Sequence, residues 1–113
     1  MKKISIIGVV TIVLATPVIS YLLALNSEPY ELTKRAVVAD KEIRETLGEI
    51  RNVRLAPFGY SVKYTGPDGR ASFETTIHGS KADGKVFVSL ERRVGAWQFT
   101  EATLNGKRIE MKQ

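Results

Sequence analysis

The feature that most constrains this chain is an uncharged apolar run close to its N-terminus. The run extends from Ile4 to Leu25 and contains 22 residues. As an α-helix rising about 1.5 Å per residue, it is long enough to cross the roughly 30 Å hydrocarbon core of a bilayer. We therefore predict a membrane anchor over residues 1–26 and one further domain over residues 27–113.

A cleavable signal peptide is the alternative reading of the same run. The apolar stretch of a signal peptide usually covers only about 7 to 15 residues and ends at a small-x-small site. Val18-Ile19-Ser20 is a poor match to such a site, and the apolar run continues beyond it to Leu25. We predict that the anchor is retained; cleavage would instead release a secreted, inhibitor-like domain.

The charges around the run predict its orientation and its membrane. Lys2 and Lys3 precede the run, and the next positive charge is Lys34. This bias keeps the N-terminus in the cytoplasm and places the C-terminal domain outside it. The segment lacks the arginines and the amphipathic pattern of a mitochondrial transit peptide, so we predict a single-pass protein of the bacterial cytoplasmic (inner) membrane.

Composition argues against several classes of function. The chain has no cysteine and one histidine, which leaves no thiol chemistry and few ligands for a metal ion. Its formal net charge of +5 is small for a nucleic-acid-binding protein, and Lys2 and Lys3 contribute two of those charges. We predict no cofactor, no metal, no nucleic-acid partner and no catalytic activity.

Two short helices are expected directly after the anchor. Pro29 suits the first turn of a helix, and a loose apolar stripe then covers residues 30–38. Asp40 is a favourable N-cap for a second helix over residues 41–47, and Gly48 suits its end. The spacing leaves open whether the two helices are continuous.

From Asn52 onward the apolar period changes from helical to two. Gly66-Pro67-Asp68-Gly69 predicts a turn with the proline at its second position, and Asn105-Gly106 is a strong hairpin signal. The alternation predicts an antiparallel meander of five or six strands with one apolar face covered by the helices, an α+β fold. The residues expected on that face include Val53, Leu55, Tyr60, Val62, Tyr64, Ala71, Phe73, Thr75, Ile77, Val86, Val88, Leu90, Trp97 and Phe99.

Two candidate chemical motifs have simpler explanations. The segment 79–85 has the spacing of a phosphate-binding loop, but Val86 stands where a serine or threonine is required, and a strand follows instead of a helix. His78 lies on the opposite strand face from Phe73 and is expected to be solvated. A ligand-binding or enzymatic domain, the alternative function, would need His78, Glu74 and Tyr60 to converge in a pocket.

Four basic residues are expected at one end of the sheet. Lys81, Lys85, Lys107 and Arg108 fall in or beside turns at that end. The doublet Arg92-Arg93 falls at the other end, roughly 25 to 30 Å away at about 3.3 Å per residue of strand. Strand-end charges that keep the sheet soluble and its edges unpaired are the favoured interpretation; the alternative makes the four residues a surface for an acidic partner or for lipid headgroups.

The order of these elements resembles the cytochrome oxidase complex assembly protein 1 family. That family is similar in turn to the small inner-membrane subunit of the mitochondrial presequence translocase. The resemblance covers nearly all of the domain and implies a membrane protein with an outward α+β domain that binds other proteins. It is carried by an N-terminal span, Tyr30, Ala36, Leu47-Gly48, Gly59, the Asp68-Gly69 turn with Ala71 and Phe73, the segments 77–81 and 84–88, and Gly95-Ala96-Trp97.

The combined expectation is a membrane-anchored, non-catalytic interaction module. It would assist the assembly of a membrane complex, with cytochrome oxidase as the candidate, and its partners would be integral membrane subunits of that oxidase. Binding would use a sheet edge or a groove beside the helices. The sequence leaves the oligomeric state open.

Overall fold

The computed structural model describes residues 17–111 and shows an α+β architecture. A single sheet has the strand order β1-β2-β3-β4-β5, with antiparallel neighbours throughout. This confirms the predicted meander and fixes the number of strands at five. The elements are the helices α1 (residues 17–25), α2 (Glu28–Ala39) and α3 (Lys41–Leu47), and the strands β1 (Ile50–Thr65), β2 (Asp68–Gly79), β3 (Asp83–Arg93), β4 (Ala96–Leu104) and β5 (Lys107–Arg108).

Most of the predicted membrane span lies outside the described residues. Residues 4–16 of the predicted span lie outside the described residues, whereas residues 17–25 form α1. Between residues 17 and 111, the chain has no helix with both the length and the apolar character needed to cross a membrane.

The helix boundaries follow local capping chemistry. Asp40 has extended backbone angles (φ −70°, ψ 125°), so α2 and α3 are separate helices. The Asp40 carboxylate accepts a hydrogen bond from the Ile43 amide at 2.9 Å, which satisfies one free N–H of the first turn of α3. At the other end, Gly48 has a φ of 82°, as predicted for the residue that ends the helix.

The apolar core lies between the helices and one face of the sheet, here called the inner face. The Tyr30 ring on α2 meets Phe73 on β2 edge to face, with 5.2 Å between ring centroids. Burial, with a smaller contribution from Tyr21, raises the pKa of Tyr30 to about 12. The predicted inner-face alternation is confirmed for Leu55, Ala71, Phe73, Thr75, Ile77, Val86, Val88 and Leu90, which are all buried, whereas Tyr64, predicted on the same face, is 55% exposed.

One long bulge interrupts the regular pairing of β1. Leu55 pairs with Thr75 and Tyr60 pairs with Phe73, so residues 56–59 stand opposite Glu74 alone. We call residues 56–59 the β1 bulge. It changes the parity of the strand, which keeps both Leu55 and Tyr60 on the inner face.

A one-residue bulge in β4 likewise changes which of its side chains face the core. Leu90 pairs with Phe99 and Ser89 with Glu101, so Thr100 is the extra residue. Trp97 was expected in the core but is only partly buried. It lies at the margin of the inner face, edge-on to Tyr64 with 5.9 Å between ring centroids.

Two of the three two-residue hairpin turns, those at 66–67 and 105–106, differ in how well the sequence predicted them. Asn105 and Gly106 have φ values of 51° and 83°, the positive pair expected of a type I′ hairpin turn. In the first hairpin Thr65 pairs with Asp68, so Gly66 is the second turn residue and Pro67 the third. The predicted placement of Pro67 is wrong, because Gly66 supplies the positive φ (64°) that a primed turn requires at its second position.

Candidate interaction surfaces

The four predicted basic residues lie at one end of the sheet, which we call the basic end. The Asn105 side chain accepts a hydrogen bond from the Lys85 amide at 2.8 Å, so the β4–β5 turn lies against the start of β3. Lys107 pairs with Leu104 and Arg108 with Thr103, so the two residues occupy opposite faces of the sheet. The residues of the basic end are Lys81, Lys85, Lys107 and Arg108. Partner binding at this end stays a prediction.

The doublet Arg92-Arg93 lies at the opposite end of the sheet. Arg92 pairs with Gly69, beside the β1–β2 turn. Its guanidinium lies 5.6 Å from the centroid of the Tyr64 ring, and its Nε atom is buried without a hydrogen-bond partner among the described residues. The two basic groups therefore form separate surfaces.

Residues 79–85, which have the spacing of a phosphate-binding loop, form hydrogen bonds with the C-terminal end of α3. The Leu47 carbonyl accepts hydrogen bonds from the amides of Lys81 (2.9 Å) and Ala82 (3.3 Å). The Ser80 hydroxyl accepts one from the Glu49 amide at 2.9 Å. We call residues 47–49 together with 79–82 the loop–helix junction. These contacts use the amides and the hydroxyl of the loop to satisfy the end of α3, which is a structural role.

Close packing explains the glycines around this junction. A Cβ atom at Gly79 would overlap the Leu47 carbonyl oxygen, and one at Gly84 would lie 2.9 Å from a Leu47 methyl group. Packing therefore brings together Leu47-Gly48 and the segments 77–81 and 84–88, which carried the family resemblance here.

The polar side chains required by the alternative function do not converge. Tyr60 is on the inner face, where its ring lies 5.9 Å from that of Tyr21. Glu74 and His78 are on the outer face, where His78 Nδ1 lies 3.2 Å from an exposed carboxylate oxygen of Asp83. Within residues 17–111, no group of three or more His, Asp or Glu side chains is arranged to hold a metal ion. On the outer face, His78 therefore forms a partly exposed pair with Asp83 and does not meet Tyr60.

A groove does run between the helices and β4. Its volume is about 610 Å³, and its walls combine apolar residues of α2 with charged residues of α3. Phe99 and Glu110 form the β4 side. Among residues 17–111, the outer strands β1 and β5 each have a strand neighbour on one side only. Both kinds of site named by the sequence analysis are thus present.

Sequence reasoning missed a contact between α1 and β1. The Tyr21 hydroxyl donates a hydrogen bond to the Leu55 carbonyl at 2.6 Å, and Ala24 is buried in the core. The Tyr60 hydroxyl donates to Ser20 Oγ at 2.9 Å. Tyr21 and Ala24 precede the predicted domain boundary at residue 26, and the apolar run concealed them because membrane segments share their composition. The boundary itself stays a prediction.

Comparison with known proteins gives one result. A search of curated proteins and a search of solved structures each found no match. The family model described as cytochrome oxidase complex assembly protein 1 matches residues 2–113. Because that match extends over nearly the whole sequence, including the junction and all five strands, the chain belongs to the cytochrome oxidase complex assembly protein 1 family.

Proposed function

We propose that this protein is a membrane-anchored, non-catalytic interaction module that assists the assembly of cytochrome oxidase. The observation that carries the proposal is the family match over residues 2–113, since the family is described by that assembly role. The 22-residue apolar run supports anchoring in a bacterial inner membrane with the α+β domain outside the cytoplasm. The partners are integral membrane subunits of the oxidase.

The basic end is the contact that we assign to those partners. Its four side chains come from a loop and two strands that meet at one end of the sheet. Lysine and arginine side chains attract acidic surfaces and raise the rate of encounter with them. The basic end therefore favours an acidic loop of an oxidase subunit.

The test is crosslinking and affinity purification of the full-length protein from native membranes, read by mass spectrometry. We expect oxidase subunits to be recovered with the intact chain and lost when residues 2–16 are deleted, a deletion that removes most of the apolar run but keeps Tyr21 and Ala24. Recovery of no membrane protein from membranes that contain abundant bait would contradict the proposal.

A charge-reversal pair tests the basic end within the same experiment. The variant Lys85→Glu/Arg108→Glu should lower recovery of oxidase subunits several-fold. The matched control, Arg70→Glu/Arg93→Glu, makes the same change in charge at the other end of the sheet, where both arginines lie near Glu91 in exposed ion pairs of little stabilising value. Equal losses in the two variants would show that net charge, and not the basic end, guides binding.

A further inference from the structure

The surface formed by α1 and the β1 bulge has no evident role within the domain. Phe58, in the bulge, has 92% of its surface exposed. Four apolar side chains of α1 are between 50% and 68% exposed: Val18, Ile19, Leu22 and Leu23. Large exposed apolar side chains on two segments that contact each other usually mark an interaction with another apolar phase.

Hydrogen bonds and ring packing fix the position of the bulge relative to α1. The Tyr21 side chain bonds to Leu55, three residues before Phe58, and its ring packs against that of Tyr60, two residues after it. Phe58 therefore lies on the segment between the two points that hold α1. The bulge also has a defined shape, because a Cβ atom at Gly59 would lie 2.8 Å from the Glu74 side chain.

If the chain is anchored, the length of the apolar run determines how deep α1 and the β1 bulge lie in the bilayer. Residues 4–16 alone would form a helix of about 20 Å, short of the roughly 30 Å hydrocarbon core. About 20 residues are needed, so residues up to about 23 must complete the crossing. The exposed side of α1 then faces lipid, and the part of β1 bonded to Tyr21 lies at the same depth.

We propose that the β1 bulge inserts Phe58 into the outer interface of the phospholipid bilayer and so fixes the orientation of the domain on the membrane. This inference rests on the proposed membrane anchoring. Tyr21 and Tyr60 flank the insertion with the amphipathic rings that are common at the level of lipid headgroups. Lys63, on the wall of the cavity between α1 and β1, supplies a positive charge for anionic headgroups.

The test uses a single tryptophan as a reporter of depth. The full-length chain, which has Trp97 alone, is reconstituted into phosphatidylcholine/phosphatidylglycerol bilayers as the double variant Trp97→Phe/Phe58→Trp. Because an interfacial apolar side chain lies about 5 to 10 Å deep, we expect brominated acyl chains to remove roughly half of the emission of the introduced tryptophan. The matched control is Trp97→Phe/Val38→Trp, since Val38 is also apolar and half exposed but lies near the far end of α2. Its emission should be unchanged.

The absence of cysteine gives a second readout that changes the bulge less. In proteoliposomes, Phe58→Cys should react with a membrane-impermeant maleimide several-fold more slowly than Val38→Cys. The two variants should react at similar rates after detergent solubilisation.

Resistance of the protein to extraction by alkaline carbonate separates the two proposals. If the chain is inserted but the Phe58 reporters behave like those at Val38, the interfacial role of Phe58 is wrong and anchoring stands. If the chain is not inserted, both proposals fail. If Phe58 is shielded only in native membranes and not in pure lipid, its partner is a membrane protein and the lipid assignment is overturned.

Discussion

Glycines allow close packing in both the loop–helix junction and the β1 bulge, but the neighbouring apolar side chain is buried in the junction and exposed in the bulge. At the junction, Gly79 and Gly84 allow Leu47 to approach the sheet closely, and the apolar surface is buried. In the bulge, Gly59 accommodates the Glu74 side chain while Phe58 projects into solvent. The residues of the junction therefore stabilise the fold, whereas a candidate contact surface lies where β1 departs from regular pairing.

The largest expected effect is on the junction. Gly79→Ala would place a Cβ atom against the Leu47 carbonyl, and we expect the free energy of unfolding to fall by about 3 kcal/mol or more. The control is Gly95→Ala, where φ is 78° but no atom lies within 4 Å of the added Cβ, and where conformational strain alone costs about 1 kcal/mol. Urea denaturation measures both. Equal losses would mean that the junction is not closely packed.

The next effect concerns the core beside the junction and depends on pH. Unfolded Tyr30 loses its proton near the ordinary tyrosine pKa of 10.0, whereas the folded residue retains its proton up to about pH 12. Between these values the unfolded state binds fewer protons, so the free energy of unfolding should fall with rising pH by roughly 2 to 3 kcal/mol in total. Below pH 10 both states keep the proton and Tyr30 contributes no pH dependence.

Tyr30→Phe isolates this contribution from other groups that titrate in alkali. The variant should lose stability less steeply than the parent between pH 10 and 12. Parallel stability curves would show that Tyr30 is not protected from ionisation.

A smaller effect tests the contact between α1 and β1. Tyr21→Phe removes the hydrogen bond to Leu55, and we expect a loss of about 1 kcal/mol. Tyr60→Phe removes only an exposed bond to Ser20 and should cost less. Urea denaturation of the two variants compares the losses. A larger loss for Tyr60→Phe would reverse this order and place the main contact of α1 elsewhere.

The smallest effect on stability is expected in the bulge. Phe58→Ser removes an exposed side chain, so the free energy of unfolding in detergent should change by less than about 0.5 kcal/mol. Thermal unfolding of the parent protein and of the Phe58→Ser variant, both in detergent, measures this difference in stability. A loss comparable to that of Gly79→Ala would mean that Phe58 contributes to the fold, which would weaken its assignment to the membrane.

Much of this fold could be read from short-range patterns. The bounds of α3 follow from Asp40 and Gly48, because capping is a local property of the backbone. The alternation in β2 and β3 identified their buried face, since one side of each strand faces the core. The placement of Pro67 was wrong because two overlapping turns, 65–68 and 66–69, both fit the local sequence and the strand register selects the first.

The candidate surfaces were predictable to different degrees. The basic end followed from the order of turns in a meander, because alternate turns of such a sheet fall at the same end. The sequence did not predict the exposure of Phe58, since a phenylalanine between apolar residues normally indicates a core position. Its exposure arises from the three extra residues of β1 opposite Glu74, and pairing between strands is a long-range property.

By itself, the sequence determined the apolar run, the helix caps, the strand period and the family to which the chain belongs. These depend on composition and on neighbours within a few residues. The tertiary structure decided that residues 79–82 support α3, that Tyr60 and His78 occupy opposite faces, and that Tyr21 joins α1 to the β1 bulge. Such contacts link residues about 30 or more positions apart, and only the packing of helices on the sheet brings them within bonding distance.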